Sequence, residues 1–209
     1  MKLLNYKKIV SHYEGCFEKF GDTNLGVDWP NIEDTFTRHS VMLDVINFIE
    51  INEEVKLLDF GCGAGHFYDF IIQNNRTNIN YSGLDLSPKY ISHCKKKYPE
   101  VDFYLKDVLV EPLENKFDVI ILNGVFTEKR EFSNSEMFEY FIELLKVLFK
   151  HTNQALCFNV MSKNVDWERE DLFHLSLDKL TEHIKLHFGN KYIIRNDYGL
   201  FEYTVYLLK

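Results

Sequence analysis

Proline is scarce in this sequence, with four in 209 residues, and no Pro/Ser-rich linker divides the chain into independent halves. Cysteine is equally rare, and Cys16, Cys62, Cys94 and Cys157 stand far apart. No pair has the close spacing of a zinc knuckle or a redox dithiol, and the histidines form no H-x-x-x-H pattern, so no metal is expected. Long apolar runs are missing too: none approaches the roughly 18 residues that span a bilayer. Met1 to Val10 mixes Lys with apolar residues and has no long apolar core, unlike a signal peptide. A cytoplasmic protein without membrane partners is the expectation. Basic residues are in deficit, 24 Lys and Arg against 32 Asp and Glu, for a formal net charge of −8. Polyanions are bound mainly through Lys and Arg that displace counterions, so nucleic acid is not expected as a partner. The longest basic run, Lys95 to Lys97, ends a predicted helix, where it complements the helix dipole.

What is present is ordinary globular material, 45% hydrophobic and 27% charged. Short runs rich in Val, Ile and aromatics predict strands at Val55 to Phe60, Asn80 to Asp85, Val101 to Leu105, Phe117 to Leu122 and Ala155 to Met161. Helical periods lie between them, at Gly65 to Gln73, Pro88 to Lys97 and Glu136 to Lys150. The last is clearest: Met137, Phe138, Phe141, Leu144, Leu145 and Leu148 share one face. Ser133 with Glu136 makes a capping box at its start, and Ser87 before Pro88 is a similar start signal. Strand–helix alternation implies a mainly parallel sheet covered on both faces. A helix at about Leu177 to His187 is followed by strand-like runs Tyr192 to Asp197 and Phe201 to Leu208. Their short connection, Tyr198-Gly199-Leu200, requires an antiparallel hairpin. Ahead of the first strand, Arg38 to Ile51 reads as an amphipathic helix, and Gly21 to Thr37 as a long loop of the kind that forms lids.

The chemistry concentrates after the first strand, in Asp59-Phe60-Gly61-Cys62-Gly63-Ala64-Gly65-His66. Glycines at alternate positions permit a tight turn and close approach of a ligand to the backbone, and the helix that follows offers free N–H groups. The second strand ends at Asp85, about 20 positions beyond Gly65, where a carboxylate can accept both hydroxyls of a ribose. Asp107 and Val108 follow the third strand, an acid and an apolar residue suited to adenine. The fourth strand ends in Asn123-Gly124. A nicotinamide-binding fingerprint needs Gly or Ala where His66 stands, and Asp59 would place a negative charge beside a pyrophosphate.

Taken in order, these four segments resemble the class I, Rossmann-like S-adenosylmethionine-dependent methyltransferases, over Val55 to Lys209. The resemblance implies an α/β three-layer fold with a seven-stranded, mostly parallel sheet and a C-terminal antiparallel hairpin. Residues 55–209 would form the core, and residues 1–54 would supply N-terminal helices and a lid segment packed on it. It places Gly61, Gly63 and Gly65 around the methionine part of S-adenosylmethionine, with Asp59 ordering that loop. It places Asp85 on the ribose, Leu86 on adenine, Asp107 and Val108 on the adenine edge, and Asn123 near the sulfonium. Gly26-Val27-Asp28-Trp29, followed by an Arg in the next helix, is similar to a subgroup of small bacterial methyltransferases of surface-polysaccharide or secondary metabolism. That likeness implies Tyr13 and Arg38 on the cofactor carboxylate and Trp29 against the cofactor.

Acceptors are expected at Val125 to Arg130 and Asp166 to His174. His174 is the first candidate general base and Glu128 the second. Phe126 and Trp167 would wall the acceptor pocket, and Lys129 or Arg169 would hold an anionic acceptor. Asn123 is followed by Gly124-Val125-Phe126, not by the N/D-P-P-Y motif of amide methylation, which favours O-methylation. A small sugar, phosphate- or nucleotide-linked precursor of a bacterial surface glycan or natural product fits. The alternatives are a non-catalytic scaffold or sensor that binds the same cofactor, and a nicotinamide-dependent enzyme.

Overall fold

A computed structural model describes residues 6–51 and 53–209. Its strands are β1 (Val55–Phe60), β2 (Ile79–Asp85), β3 (Asp102–Leu105), β4 (Phe117–Leu122), β5 (Thr152–Ser162), β6 (His174–Leu175), β7 (Tyr192–Arg195) and β8 (Glu202–Leu208). Its α-helices are α1 (Lys7–Phe20), α2 (Ile32–Leu43), α3 (His66–Gln73), α4 (Pro88–Lys97), α5 (Asn134–Lys150) and α6 (Leu177–His187).

The strands run in the order β3-β2-β1-β4-β5-β8-β7, with β6 pairing to β5 off this path. β1 to β5 are parallel, and β8 returns antiparallel beside both β5 and β7. The expected seven-stranded sheet and final hairpin are therefore present, joined by a two-residue eighth strand. Register explains the layers. Leu57, Val119, Ala155 and their neighbours Ile121, Cys157 and Tyr206 face one core, beneath Met42, Phe67 and Ile91. The alternate residues Leu58, Ile120, Leu156 and Leu207 face the other, beneath α5 and α6. This period of two is what a strand with both faces covered requires.

The helix starts follow their caps. Ser133 and Glu136 form the reciprocal capping box of α5, and Ser87 Oγ accepts from Tyr90 N–H at the start of α4. The N-terminal third departs from expectation. Asn31 Oδ1 accepts from the N–H groups of Glu33 and Asp34, so α2 begins at Ile32, inside the presumed loop. It ends at Leu43 and tightens into a 3₁₀ turn over Asp44–Phe48, which keeps Val45 and Ile46 in the same core as Met42. Another 3₁₀ turn, Asn24–Val27, fills part of the remaining segment. Asp22 pins that segment to the core through His66 (2.8 Å) and Lys97 (2.9 Å). No helix among the described residues is long and apolar enough to cross a membrane.

Candidate functional site

β1 lies between β2 and β4, so the chain leaves the sheet in opposite directions on its two sides and opens a crevice at the strands' carboxyl ends. The glycine loop lies there. The N–H groups of Gly61 (2.7 Å) and Cys62 (3.1 Å) both donate to Leu84 O, tying the loop to β2. Gly61 has φ of +76°, and a Cβ there would lie 2.7 Å from a Val125 methyl carbon. No larger residue fits without displacing the loop after β4. Gly65, at φ of +81°, turns the chain into α3.

Two carboxylates line the cleft beside this loop. Asp85 Oδ2 accepts from Gly63 N–H (3.0 Å), and Oδ1 accepts from Ser87 N–H (2.8 Å). Burial raises the Asp85 carboxyl, while these backbone bonds pull it back. Asp59, 2% exposed, accepts from the Tyr81 hydroxyl at 2.7 Å. Burial pushes Asp59 up to about 7, against the Tyr81 bond, and the Asp85 charge adds to the rise. An acid raised in the folded state binds its proton more tightly there than in the unfolded chain. Its contribution to stability is therefore greatest at low pH and is lost as pH rises toward about 7. Asp59→Asn should remove up to about 1.4 kcal/mol per pH unit of that decline. Denaturant titrations from pH 5 to 8 measure it, and parallel pH profiles for the two proteins would contradict the assignment.

The cleft above the loop is walled by Tyr13, Trp29, His39, Leu86, Asn123 and Tyr140, among others. Asn123 is its most telling group: both atoms of its carboxamide are buried without a hydrogen-bond partner among the described residues. Trp29 lies on Gly124, where a Cβ would come within 2.5 Å of the indole. His39, 5% exposed among Trp29, Phe67 and Phe70, is held neutral by burial, its pKa lowered to about 3.

Of the residues singled out in the sequence, Tyr13, Trp29, Asp59, Gly61, Gly63, Asp85, Leu86 and Asn123 converge on this cleft, and Gly65 closes the loop beneath it. Others do not. The Arg38 guanidinium is paired with Glu202 at 2.9 Å and lies over the Trp29 ring, outside the cleft lining. Asp107 reaches the cleft only through Tyr6, whose hydroxyl donates to it at 2.5 Å. Val108 is packed in the core. Phe126, fully buried, meets Phe141 edge-to-face at 4.7 Å and is a core residue, not a pocket wall. Trp167 is 75% exposed and clear of the cleft. Lys129 donates to Glu170 O, and Arg169 pairs with Asp171, both beside a separate open groove.

His174 is also absent from the cleft lining. Its Nδ1 is 2.6 Å from Ser162 O, and its Nε2 accepts from Arg169 N–H at 3.3 Å, so both ring nitrogens serve its own loop. β6, which carries it, pairs at the carboxyl end of β5, on the cleft's side of the sheet, but the ring is not among the residues that line the cleft. His174→Ala should therefore lower stability by about 1–3 kcal/mol, the penalty of leaving buried partners unsatisfied. Affinity for the cleft's ligand should stay unchanged, which calorimetry on the folded protein checks. Glu128 is not among the residues lining the cleft either. Buried beside Arg130 (2.8 Å), it is raised by burial against the pull of that guanidinium, and its charge bears on Tyr13 in the cleft wall.

Sequence reasoning missed Tyr6, His39, Tyr140, Asn159 and Glu202. Tyr140 is not among the residues that define the apolar face of α5, and the others carry no local motif. His12, Cys16 and Asp28 bring ligand-type atoms within 4.8 Å of one another. The Arg130 guanidinium already lies against His12 and Asp28 and supplies the positive charge there.

The geometry has counterparts in known proteins. A Mycobacterium tuberculosis protein named as a methyltransferase is 22% identical over 169 residues, covering 78% of this chain and 99% of its own length. The structure resembles magnesium protoporphyrin IX methyltransferase from Synechocystis PCC 6803 with bound S-adenosylmethionine (TM-score 0.67, 15% identity, 100% and 99% of the two chains). It also resembles the plantazolicin methyltransferase BpumL bound to S-adenosylhomocysteine and a triazolic substrate analogue (TM-score 0.66, 17% identity, 97% of each chain). At these identities the likeness is one of fold. The profile of the family described as "Methyltransferase domain" matches residues 51–186, more than half of the 209. With the glycine loop, Asp85 and Asn123 all inside that stretch, the chain belongs to the methyltransferase-domain family.

Proposed function

We propose that this protein is an S-adenosylmethionine-dependent methyltransferase that transfers a methyl group to a hydroxyl of a small molecule. The orphaned Asn123 carboxamide carries the cofactor assignment, because a buried amide with neither donor nor acceptor satisfied calls for a polar ligand in the cleft. The rest of the lining fits that ligand. Asp85 would hold the ribose hydroxyls, the backbone of Gly61 and Gly63 would meet the methionine end, and Asp59 would favour its ammonium. Leu86 and the Tyr6–Tyr140 pair, stacked at 5.3 Å, offer apolar faces to adenine. When bound, S-adenosylmethionine supplies an electrophilic methyl on sulfur, so the protein's share of the work is orientation and proton removal.

For proton removal Glu128 is favoured over His174: it does not itself line the cleft, but its raised pKa makes it more basic than an ordinary carboxylate and its charge bears on Tyr13 in the cleft wall. Among the described residues no Lys or Arg lines the cleft, while Tyr13, His39 and Asn123 offer neutral hydrogen-bonding groups. That inventory suits a hydroxyl-bearing acceptor, such as a sugar precursor of a surface glycan or a natural product, better than an acceptor bound through its phosphate. Incubating the protein with methyl-labelled S-adenosylmethionine and two acceptor panels, free polyols and their phosphate esters, tests this. Label in the free polyols is the expected result. Label only in protein or nucleic acid would sink the proposal.

A further inference from the structure

Glu202, in β8, is 2% exposed, and nothing in the chemistry above uses it. A carboxylate is rarely left so deep without a structured set of partners. Its Oε2 accepts from Arg38 Nε at 2.9 Å, and its Oε1 accepts from Asn159 Nδ2 at 3.0 Å. Asn159, itself 1% exposed in β5, has its Oδ1 on the N–H of Gly124 at 2.7 Å. Gly124 is the residue after Asn123, in the floor of the cleft. Arg38 closes the circuit from the other side. Its guanidinium carbon lies 5.2 Å from the Trp29 ring centroid, and that indole lies against Gly124.

The path Trp29–Arg38–Glu202–Asn159–Gly124 is thus a closed ring of contacts. It ties the segment before α2, α2 itself, β8, β5 and the turn after β4 together around one side of the cleft. Each step is a fixed hydrogen bond, ion pair or ring contact, and no side chain in it but Trp29 lines the cleft.

We propose that Arg38 and Glu202 are a positioning pair: they hold the Trp29 indole and the Asn123–Gly124 turn in register with the bound cofactor, and neither touches it. The N-terminal cap then cannot shift off the cleft without separating a buried ion pair, and the last strand of the sheet becomes part of the site's support.

The affinity arm of the test rests on the cofactor reading above. In a Trp167→Phe background, Trp29 is the one remaining tryptophan of two, so its emission reports the ring's burial. Glu202→Gln keeps the side chain's size and can still accept from Asn159, but removes the charge facing Arg38. It should weaken S-adenosylhomocysteine binding about tenfold and increase acrylamide quenching of Trp29. Arg38→Met should do the same, and Arg38→Lys, which restores the charge, should recover part of the loss. A pair that only stabilises the fold would lower the melting temperature while leaving quenching and the affinity of the folded protein at parental values. That result would overturn the proposal. Hydrogen exchange on the unaltered protein needs no variant: the Gly124 amide should be protected, and exchange at the rate of an open loop would equally overturn it. If the parent binds no S-adenosylhomocysteine, the cofactor reading fails, while quenching and exchange still decide the positioning pair.

Discussion

Replacing Asp85 by alanine should weaken S-adenosylhomocysteine binding by roughly 10- to 150-fold, the equivalent of about 1.5–3 kcal/mol for hydrogen bonds to a charged group. The carboxylate ends β2 within reach of both the glycine loop and the chain turning into α4, held by Gly63 N–H and Ser87 N–H. Those two bonds orient it before any ligand arrives, so little ordering remains to be done on binding. Asp85→Asn is the informative companion. It keeps one acceptor oxygen but loses the charge, and should fall between the parent and the alanine variant. Isothermal titration measures all three. Equal affinities across the series would mean that the ribose does not sit at the end of β2.

Gly124→Ala should be nearly as damaging, for a different reason. Gly124 has φ of +80°, which alone strains an L-residue by about 1–3 kcal/mol, and its Cβ would lie 2.5 Å from the Trp29 indole. The backbone cannot yield readily, because its N–H is fixed to Asn159, so the indole must move and open the cleft. Gly199→Ala is the control. It has a similar φ of +77° but open space around it, so it carries the strain without the clash. The expected result is a lower melting temperature for both, larger for Gly124→Ala, with weakened S-adenosylhomocysteine binding for that variant alone. Equal losses of stability, or intact binding in Gly124→Ala, would show that the Trp29 indole does not lie against Gly124.

Much of this was legible in the sequence wherever the signal is local. The strand at Val55–Phe60, the glycines after it and Asp85 at the end of the next strand are fixed by backbone conformation and by short-range hydrogen bonds. α5 was legible because its capping box and its apolar face agree. α2 was misplaced although its signal was present: Asn31 followed by Glu33 and Asp34 is a helix start. The loop-like residues just before it, Gly26, Asp28 and Pro30, masked that start. The expected site residues that lie outside the cleft lining share one cause. Arg38 and His39 are neighbours on one helix, and only the tertiary arrangement decides which of them meets the cleft and which meets Glu202. His174 and Phe126 likewise look available in a linear loop, yet the packing of β6 and α5 consumes both. Glu202 and Asn159 have no motif at all, because their role rests on contacts made 43 residues apart.

Everything proposed for this protein depends on S-adenosylmethionine occupying the cleft above Gly61 to Gly65. Calorimetric titration of the intact chain with S-adenosylhomocysteine, with a nicotinamide dinucleotide as comparison, tests it most directly. Saturable one-to-one binding of S-adenosylhomocysteine, and none of the dinucleotide, is the expected result. No binding of S-adenosylhomocysteine, or a preference for the dinucleotide, would contradict it.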